Sequence, residues 1–205
     1  KGVVLATGSY EVPIQFQNND RPGIMLATAA QRLIHLHSIK PGNTAVVATA
    51  NDQGYQAALD LMNAGVEIAA VVDARPSHSD GLEAAASLTA LGVQLLPDYN
   101  VSRSPGKNRV NAVFVSSQGG IIADRRIACD LVCMSGGFQP ANALLQHSGG
   151  SLEYDENSGE GLPRNLPDGV YVAGEVSGVH DLSSSLLQGR IAGLEAANLV
   201  SSGGS

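Results

Sequence analysis

The C-terminal part of the chain contains a short strand, a Gly-acid step, a Gly-containing turn and a long helix in succession. The strand is Val170–Val172, the step is Gly174-Glu175, and the helical pattern starts at Ser183. In parallel α/β folds this order places backbone N–H groups and the positive end of a helix beside an anionic ligand. The segment therefore predicts one wall of a site for a nucleotide cofactor.

A second fragment of the same kind of site opens the chain. Residues 3–6 form a short apolar strand that ends in Thr7-Gly8. In open α/β sheets, ligands bind at the carboxyl ends of neighbouring strands, so we expect Thr7 and Gly8 to lie near Gly174 and Glu175. Both fragments are typical closing pieces of a dinucleotide-binding fold whose first βαβ unit is expected to lie outside this sequence.

Composition favours an α/β protein and excludes several classes of partner. The chain has 205 residues, 43% hydrophobic and 15% charged, with 24 glycines, which fits a folded chain with many tight turns. Its net charge of −7 and the lack of a Lys/Arg cluster argue against a nucleic-acid partner. No apolar run reaches about eighteen residues, so no membrane span is expected. Cys129 and Cys133 are expected to be buried, reduced thiols.

The central segment predicts a doubly wound sheet. Apolar strands at 45–48, 66–72 and 93–96 alternate with helices at 55–64 and, capped by Ser79-Asp80, up to Ala90. Strands that alternate with helices predict parallel pairing with right-handed crossovers. An earlier helical periodicity begins at Ile24 and is expected to stop at 41–43.

Strand composition returns after Pro97 in a different arrangement. Residues 101–103, 111–117 and 121–127 predict an antiparallel meander. Residues 130–134 then predict a further buried strand, and 138–168 are expected to be rich in loops, with a short helix after Pro140.

The turn of the central βαβ unit departs from the glycine pattern of dinucleotide sites. The positions that match G-x-G-x-x-G are Ala48, Ala50 and Gln53, and Asp52 adds a negative charge where a phosphate would lie. Against this, Asp73 follows the second strand at the expected place for a ribose-binding acid. Two interpretations stay open, a dinucleotide site that uses Asp73 and a scaffold that binds nothing. The scaffold is favoured, with Arg75 as a solvated turn residue.

The Gly174-Glu175 step is the more specific candidate. Glu175 is expected to accept hydrogen bonds from ribose or ribityl hydroxyls, and Gly174 to let the chain pass close to a pyrophosphate. Ser183 could contact the cofactor at the helix start, or serines 183–185 could be a plain N-cap. His180 is the one histidine that we would test near a cofactor. No metal-ligand cluster, hydrolase motif or P-loop occurs in the sequence.

Several stretches together resemble a known family. They are residues 5–13, 18–25, 50–52, 72–75 and 135–140, together with the Gly174 turn. Over nearly the whole chain they resemble the α subunits of heterotetrameric sarcosine oxidases. The run Asn-Asn-Asp-Arg-Pro-Gly at 18–23 is the most specific of them. The Ala-Thr-Gly and Gly-Glu pieces are shared with α subunits of opine oxidase, proline dehydrogenase and hydrogen cyanide synthase.

The resemblance implies a bacterial, cytoplasmic subunit that assembles with β, γ and δ chains. The whole complex would oxidise sarcosine to glycine, with formaldehyde or a methylene-folate product and hydrogen peroxide. It implies NAD on the α subunit, and FAD and FMN in the full complex, with the amine oxidised at a flavin on the β subunit. No catalytic residue is therefore expected in this chain, and the isolated chain is expected to be inactive.

The predicted fold class is α/β, with a Rossmann-like nested domain of the FAD/NAD(P)-binding, pyridine nucleotide-disulfide oxidoreductase type. The nested domain is assigned to residues 24–136 and includes the antiparallel meander. Residues 1–23 and 137–205 are assigned to a partial outer dinucleotide-binding domain. Its expected cofactor contacts are Thr7, Gly8, Gly174, Glu175 and Ser183. Two rivals stay open: an α subunit of an opine-, proline- or glycine-oxidising dehydrogenase complex, and a non-catalytic scaffold that docks partner subunits.

Overall fold

The computed structural model describes residues 1–75, 83–119, 124–156 and 158–202. Two compact units are formed, a central unit from Glu11–Gly137, and an outer unit from Lys1–Tyr10 together with the chain from Phe138 onward. Residues 11–23 group with the central unit, whereas the sequence-based assignment places them in the outer domain. The functional division at residues 24 and 136 stays a prediction.

The structure contains mostly short strands and helices of up to 21 residues. The strands are β1 (Val3–Leu5), β2 (Ser9–Glu11), β3 (Ile24–Leu26), β4 (Thr44–Thr49), β5 (Glu67–Asp73), β6 (Leu95–Pro97), β7 (Tyr99–Arg103), β8 (Ala112–Ser117), β9 (Arg125–Ala128), β10 (Leu131–Ser135), β11 (Phe138–Pro140), β12 (Ser151–Asp155), β13 (Glu160–Arg164) and β14 (Val170–Val172). The helices are α1 (Ala27–His37), α2 (Gln53–Asn63), α3 (Glu83–Ala90), α4 (Ala143–His147) and α5 (Leu182–Ser202), with a 3₁₀ turn at Gly174–Ser177.

The central unit is built on a parallel sheet with the order β3-β10-β4-β5-β6. Alternate side chains of a strand point to opposite faces. Val47 and Val71 therefore pack into one core cluster with Leu61 of α2, while Val46 and Val72 pack into a second cluster. This second cluster includes residues of the antiparallel sheet β7-β8-β9. The predicted doubly wound fold and its meander are confirmed.

The predicted helix that starts at Ile24 is wrong at both ends. Ile24–Leu26 is a strand, paired in parallel with β10, and the helix begins only at Ala27. It ends at His37, before the predicted stop at 41–43, because Ser38 adopts a left-handed conformation with φ 53°. The Ser38 and Ile39 N–H groups then bond back to the last turn, in the pattern that commonly ends a helix.

Residues 138–168 contain more regular structure than the sequence suggests. The short helix after Pro140 is present as α4, but β12 and β13 also form an antiparallel hairpin. Its alternation is hard to detect because one strand carries exposed side chains such as Tyr154, which is 67% exposed. The predicted cap at Ser79-Asp80 lies outside the described residues.

The outer unit joins the two ends of the chain through one pair of strands. Strand β1 pairs in parallel with β14, with Val3 opposite Val170 and Leu5 opposite Val172. The two strands are separated by more than 160 residues of chain, yet their carboxyl ends meet at the same edge. The predicted proximity of these two segments is confirmed. None of the helices in the described ranges is both long and apolar enough to cross a membrane.

Asp130 links the strands at the amino-terminal edge of the central sheet, and it predicts an acid-sensitive contribution to stability. Its carboxylate accepts the backbone N–H groups of Asn43 and Thr44, each at 2.9 Å. Although partial burial raises the pKa of Asp130, these hydrogen bonds outweigh it and hold the pKa below its usual value. A lowered pKa stabilises the fold above the unfolded-state value of about 4, and this contribution is lost as the pH falls through the folded-state pKa.

We expect Asp130→Asn to lower the free energy of unfolding by about 1 kcal/mol at neutral pH and to cost little at about pH 2.5. Urea unfolding at both pH values measures this difference. Asp124→Asn is the control, because the contact of Asp124 within the described ranges is an exposed ion pair of 3.9 Å with Arg103. An equal cost of Asp130→Asn at both pH values would contradict the assignment.

Candidate functional site

The carboxyl ends of β1 and β14 open onto a groove in the outer unit with a cavity volume of about 450 Å³. The start of α5 forms the facing side. The lining residues are Ala6, Gly8, Ala173, Gly174, Glu175, His180, Leu182, Ser185, Leu186 and Gly189. The lining includes glycines at the strand ends, where a ligand can approach the backbone closely.

Glu175 presents an exposed carboxylate at the mouth of this groove. Its Oε2 atom accepts a hydrogen bond of 2.7 Å from the Ser9 hydroxyl, which follows β1. A Cβ atom at Gly8 would lie 3.7 Å from the same oxygen. The structure therefore brings together Gly8, Gly174 and Glu175, and the second carboxylate oxygen of Glu175 has capacity to accept from a ligand hydroxyl.

The turn that carries Glu175 is locked by a residue that sequence reasoning missed. Gly174 has φ 77°, a left-handed conformation that favours glycine. Its N–H donates to Oε1 of Gln188 in α5 at 2.9 Å, and the Ser177 hydroxyl lies 2.8 Å from the same oxygen. Gln188 thus fixes the turn to the helix. Its spacing of fourteen residues from Gly174 has no recognisable motif.

The other two predicted contacts, Thr7 and Ser183, are not among the residues that line the groove. The Thr7 hydroxyl donates to the Ala141 carbonyl at 2.9 Å, so this side chain holds the end of β1 in place. Ser183 is exposed and does not line the groove, whereas Ser185 does. The helix is capped by Asp181, whose carboxylate accepts the Ser184 N–H at 2.8 Å. The interpretation of serines 183–185 as the N-cap is therefore wrong. Contacts of Thr7 and Ser183 with a ligand stay predictions.

In the central unit, the predicted ribose-binding acid is engaged by the protein itself. Asp73 is 1% exposed and accepts hydrogen bonds of 2.8 Å from the Tyr55 hydroxyl and from Arg75 Nη2. Arg75 also reaches Asp52 at 2.8 Å. Arg75 is therefore not a solvated turn residue, since it bridges a buried and an exposed carboxylate. The Asp73 carboxylate is turned toward these groups within the protein.

The backbone N–H groups of the central turn are also engaged. The N–H of Ala50 donates to the Ser135 carbonyl at 2.9 Å. The N–H of Asn51 donates to the Thr49 hydroxyl at 3.1 Å, and the N–H of Gln53 donates to Asn51 Oδ1 at 2.9 Å. These three N–H groups, which could otherwise donate to a phosphate, are satisfied by acceptors within the protein. This geometry favours the scaffold interpretation of the central unit.

Neither metal chemistry nor thiol chemistry has a recognisable centre in the described residues. No group of three or more His, Cys, Asp or Glu side chains is placed to hold a metal ion within those ranges. Cys129 and Cys133 are free and buried. Burial raises the pKa of each thiol to about 12, so neither is a reactive thiolate at neutral pH.

Comparison with known proteins places this geometry in context. The alpha subunit of sarcosine oxidase from Corynebacterium sp. (strain P-1) is 34% identical over 200 residues, and the alpha subunit of sarcosine oxidase from Rhizobium meliloti is 33% identical over 186 residues. These alignments cover 95% and 91% of this chain. The resemblance to sarcosine oxidase α subunits is confirmed. The chain spans about a fifth of the length of these relatives, at 20% and 18%.

The chain is also similar to more distant relatives, and solved structures share its fold. An opine oxidase subunit from Agrobacterium tumefaciens is 26% identical over 215 residues, which cover 95% of this chain and 42% of that protein. Thioredoxin reductase of T. acidophilum superimposes with a TM-score of 0.72 at 18% identity, over 95% of this chain and 64% of that one. L-proline dehydrogenase of P. horikoshii superimposes with a TM-score of 0.62 at 22% identity, over 86% of this chain and 30% of that one. The fold is thus shared with a thioredoxin reductase and an L-proline dehydrogenase. No protein-family model matches the chain.

Proposed function

We propose that this chain is a segment of the α subunit of a sarcosine oxidase-type complex, and that its outer unit closes a binding site for NAD. The observation that carries the proposal is the parallel pairing of β1 with β14, which places Gly8, Gly174 and Glu175 around one groove. Glu175 would bind ribose hydroxyls, and Gly174 would admit the pyrophosphate. The sequence identity of 34% and 33% to two sarcosine oxidase α subunits supports a complex of the sarcosine oxidase type.

The segment would contribute cofactor binding and subunit scaffold to a cytoplasmic complex with β, γ and δ subunits. That complex would oxidise sarcosine, an amine donor with a CH–NH group, to glycine with hydrogen peroxide, using FAD and FMN. When bound, NAD would supply a hydride-accepting nicotinamide. The chain's own residues would only bind and orient the dinucleotide. On this account the isolated chain has no amine-oxidising activity.

Exposed apolar side chains support the assignment of residues 1–23 and 137–205 to a partial outer domain. In α5, the exposed fractions are 58% for Leu187, 47% for Ile191 and 63% for Leu194, which share one helix face and do not line the groove. Val3 of β1 is 50% exposed. A contiguous apolar surface of this kind on a helix is normally covered in the working protein. We propose that the rest of the α subunit covers it, with residues 24–136 as the nested domain.

Calorimetric titration of the complete α subunit with NAD⁺ tests the proposal. We expect Glu175→Ala to weaken binding by about ten- to a hundredfold, because a charge-assisted hydrogen bond to the ligand is lost. Glu153→Ala is the matched control, because Glu153 is an exposed acid in β12 that pairs with Arg164 away from the groove. Absence of binding by the wild-type protein, or unchanged affinity of Glu175→Ala, would contradict the proposal and favour the scaffold.

A second candidate within the same class is an α subunit of an opine- or proline-oxidising complex. It is less well supported, because the opine oxidase relative is 26% identical, against 34% for a sarcosine oxidase relative. Peroxide production by the full complex with sarcosine, proline or an opine as the amine distinguishes the two. For the central unit alone, the internally bonded Asp73 and turn donors favour a scaffold role.

A further inference from the structure

Glu160 of β13 is a buried carboxylate whose role the groove described above does not explain. Its side chain is 6% exposed, and Oε1 lies 2.8 Å from His180 Nε2. Its other oxygen, Oε2, is buried and has no hydrogen-bond partner among the described residues. An unpaired buried charge is strongly unfavourable. In the described structure His180 is therefore the group that compensates the Glu160 carboxylate.

The imidazole ring of His180 is also contacted by an aromatic side chain. The Phe138 ring packs against it with a centroid distance of 5.8 Å. The preceding Gly178 has φ 81°, and a Cβ atom there would lie 2.5 Å from Leu162 and 3.6 Å from Glu160 Oε2. The glycine thus lets the turn approach the hairpin closely. A ring fixed in this way can serve a bound ligand without losing rotamer freedom.

The ring is both anchored and accessible. His180 lines the groove, and its side chain is 34% exposed. Because Nε2 faces Glu160, the nitrogen left for a ligand is Nδ1, which makes no hydrogen bond within the described part of the chain. A carboxylate that fixes one ring nitrogen and leaves the other for chemistry is a common way to orient histidine.

We propose that Nδ1 of His180, with the ring oriented by Glu160, donates a hydrogen bond to a diphosphate oxygen of the dinucleotide in the outer groove. The inference rests on the proposed function. His180 lies two residues before α5 begins at Leu182, and it lines the groove into which the diphosphate would extend. In this arrangement Nε2 faces Glu160 and Nδ1 faces the diphosphate, so the ring lies between two anions. Glu160 acts as a positioning residue and His180 as the binding residue.

Two amide substitutions at His180 identify which ring nitrogen faces the ligand. His180→Asn places an amide near the position of Nδ1, whereas His180→Gln places one near Nε2, beside Glu160. In the complete α subunit we expect His180→Asn to weaken NAD⁺ affinity by about tenfold, because it loses the contact with Glu160, and His180→Gln to weaken it by about a hundredfold, because it loses the donor that faces the ligand. A residue that only satisfies Glu160 would give the reverse order.

The positioning role of Glu160 is tested with the same titration. We expect Glu160→Gln to weaken NAD⁺ and ADP binding by about tenfold, because the ring loses its charge partner. Adenosine, which lacks a diphosphate, should compete with unchanged affinity. The controls are His147→Asn and Glu153→Gln, since both residues are exposed and outside the groove. Their affinities should match the wild-type value.

The outcomes separate this inference from the proposed function. If the wild-type protein binds neither NAD⁺ nor ADP, the proposed function fails and this inference fails with it. If the wild-type protein binds NAD⁺ and the variants His180→Asn, His180→Gln and Glu160→Gln bind it with the wild-type affinity, only the role of His180 is overturned. The role of His180 is also overturned if His180→Gln keeps NAD⁺ affinity while His180→Asn loses it. The same holds if Glu160→Gln weakens adenosine binding as much as NAD⁺ binding.

Discussion

Replacing Arg75 with alanine is expected to lower the free energy of unfolding of the central unit by about 2–4 kcal/mol, because a buried carboxylate then loses its charge partner. Asp73 is 1% exposed, and Arg75 donates to it through Nε at 3.1 Å and Nη2 at 2.8 Å. The Tyr55 hydroxyl and the Arg75 backbone N–H would still donate to it. Because these hydrogen bonds remain, the expected loss in the free energy of unfolding is smaller than the largest losses seen when a buried ion pair is broken. Urea unfolding followed by circular dichroism measures it.

The exposed half of the same cluster provides the control. Asp52 accepts from Arg75 Nη1 at 2.8 Å, but its side chain is 58% exposed. We therefore expect Asp52→Asn to change stability by less than about 1 kcal/mol. Combining Arg75→Ala with Asp73→Asn should recover part of the loss, because no buried charge remains. If Arg75→Ala and Asp52→Asn lowered the free energy of unfolding equally, this would contradict the role of Arg75 as the charge partner of the buried Asp73.

The second large effect is expected at Gly54, where alanine should destabilise the chain by about 1–3 kcal/mol. Alanine in a helix is ordinarily more stable than glycine by about 1 kcal/mol, so the sign is reversed here. The reason is local: a Cβ atom at Gly54 would lie 2.3 Å from Thr49 Oγ1 and 2.4 Å from Thr49 Cβ. Helix α2 packs against β4 closely enough that only hydrogen fits between them.

Gly193 in α5 is the matched control for this prediction. It is an exposed helical glycine, and a Cβ atom added there would meet no described atom within 4 Å. Gly193→Ala is therefore expected to stabilise the chain by up to about 1 kcal/mol. Thermal and urea unfolding of the two variants should change in opposite directions. A gain in stability from Gly54→Ala would show that α2 and β4 pack less closely than these distances require.

The fold could be predicted from sequence where a local pattern agrees with the tertiary structure. The apolar runs of β4 and β5, with a helix between them, satisfy the parallel-sheet pattern without further information. Strand β3 could not be found in this way, because its three residues continue directly into the apolar periodicity of α1. Its pairing with β10 depends on residues more than 100 positions away.

The candidate site was predictable to the extent that backbone glycines define it. Gly8 and Gly174 stand at strand ends, and their motifs indicated the groove that the structure contains. Glu160 gave no such signal, because it lies in a hairpin strand and meets His180 only through the tertiary fold. Gly54 gave no packing signal either, because the predicted helix starts at residue 55 and the structure begins it at Gln53. The engagement of Asp73 by Arg75 gave no sequence signal, because neither the burial of Asp73 nor the direction of the Arg75 side chain follows from their spacing of two residues.

The most direct test of the account is a crystal structure of the complete α subunit grown with NAD⁺. We predict that the dinucleotide lies in the groove of the outer unit, with its ribose hydroxyls at Glu175 and its pyrophosphate beside Gly174. A dinucleotide bound instead over residues 48–53 of the central unit, with Asp73 released from Arg75 to hold its ribose, would contradict the account.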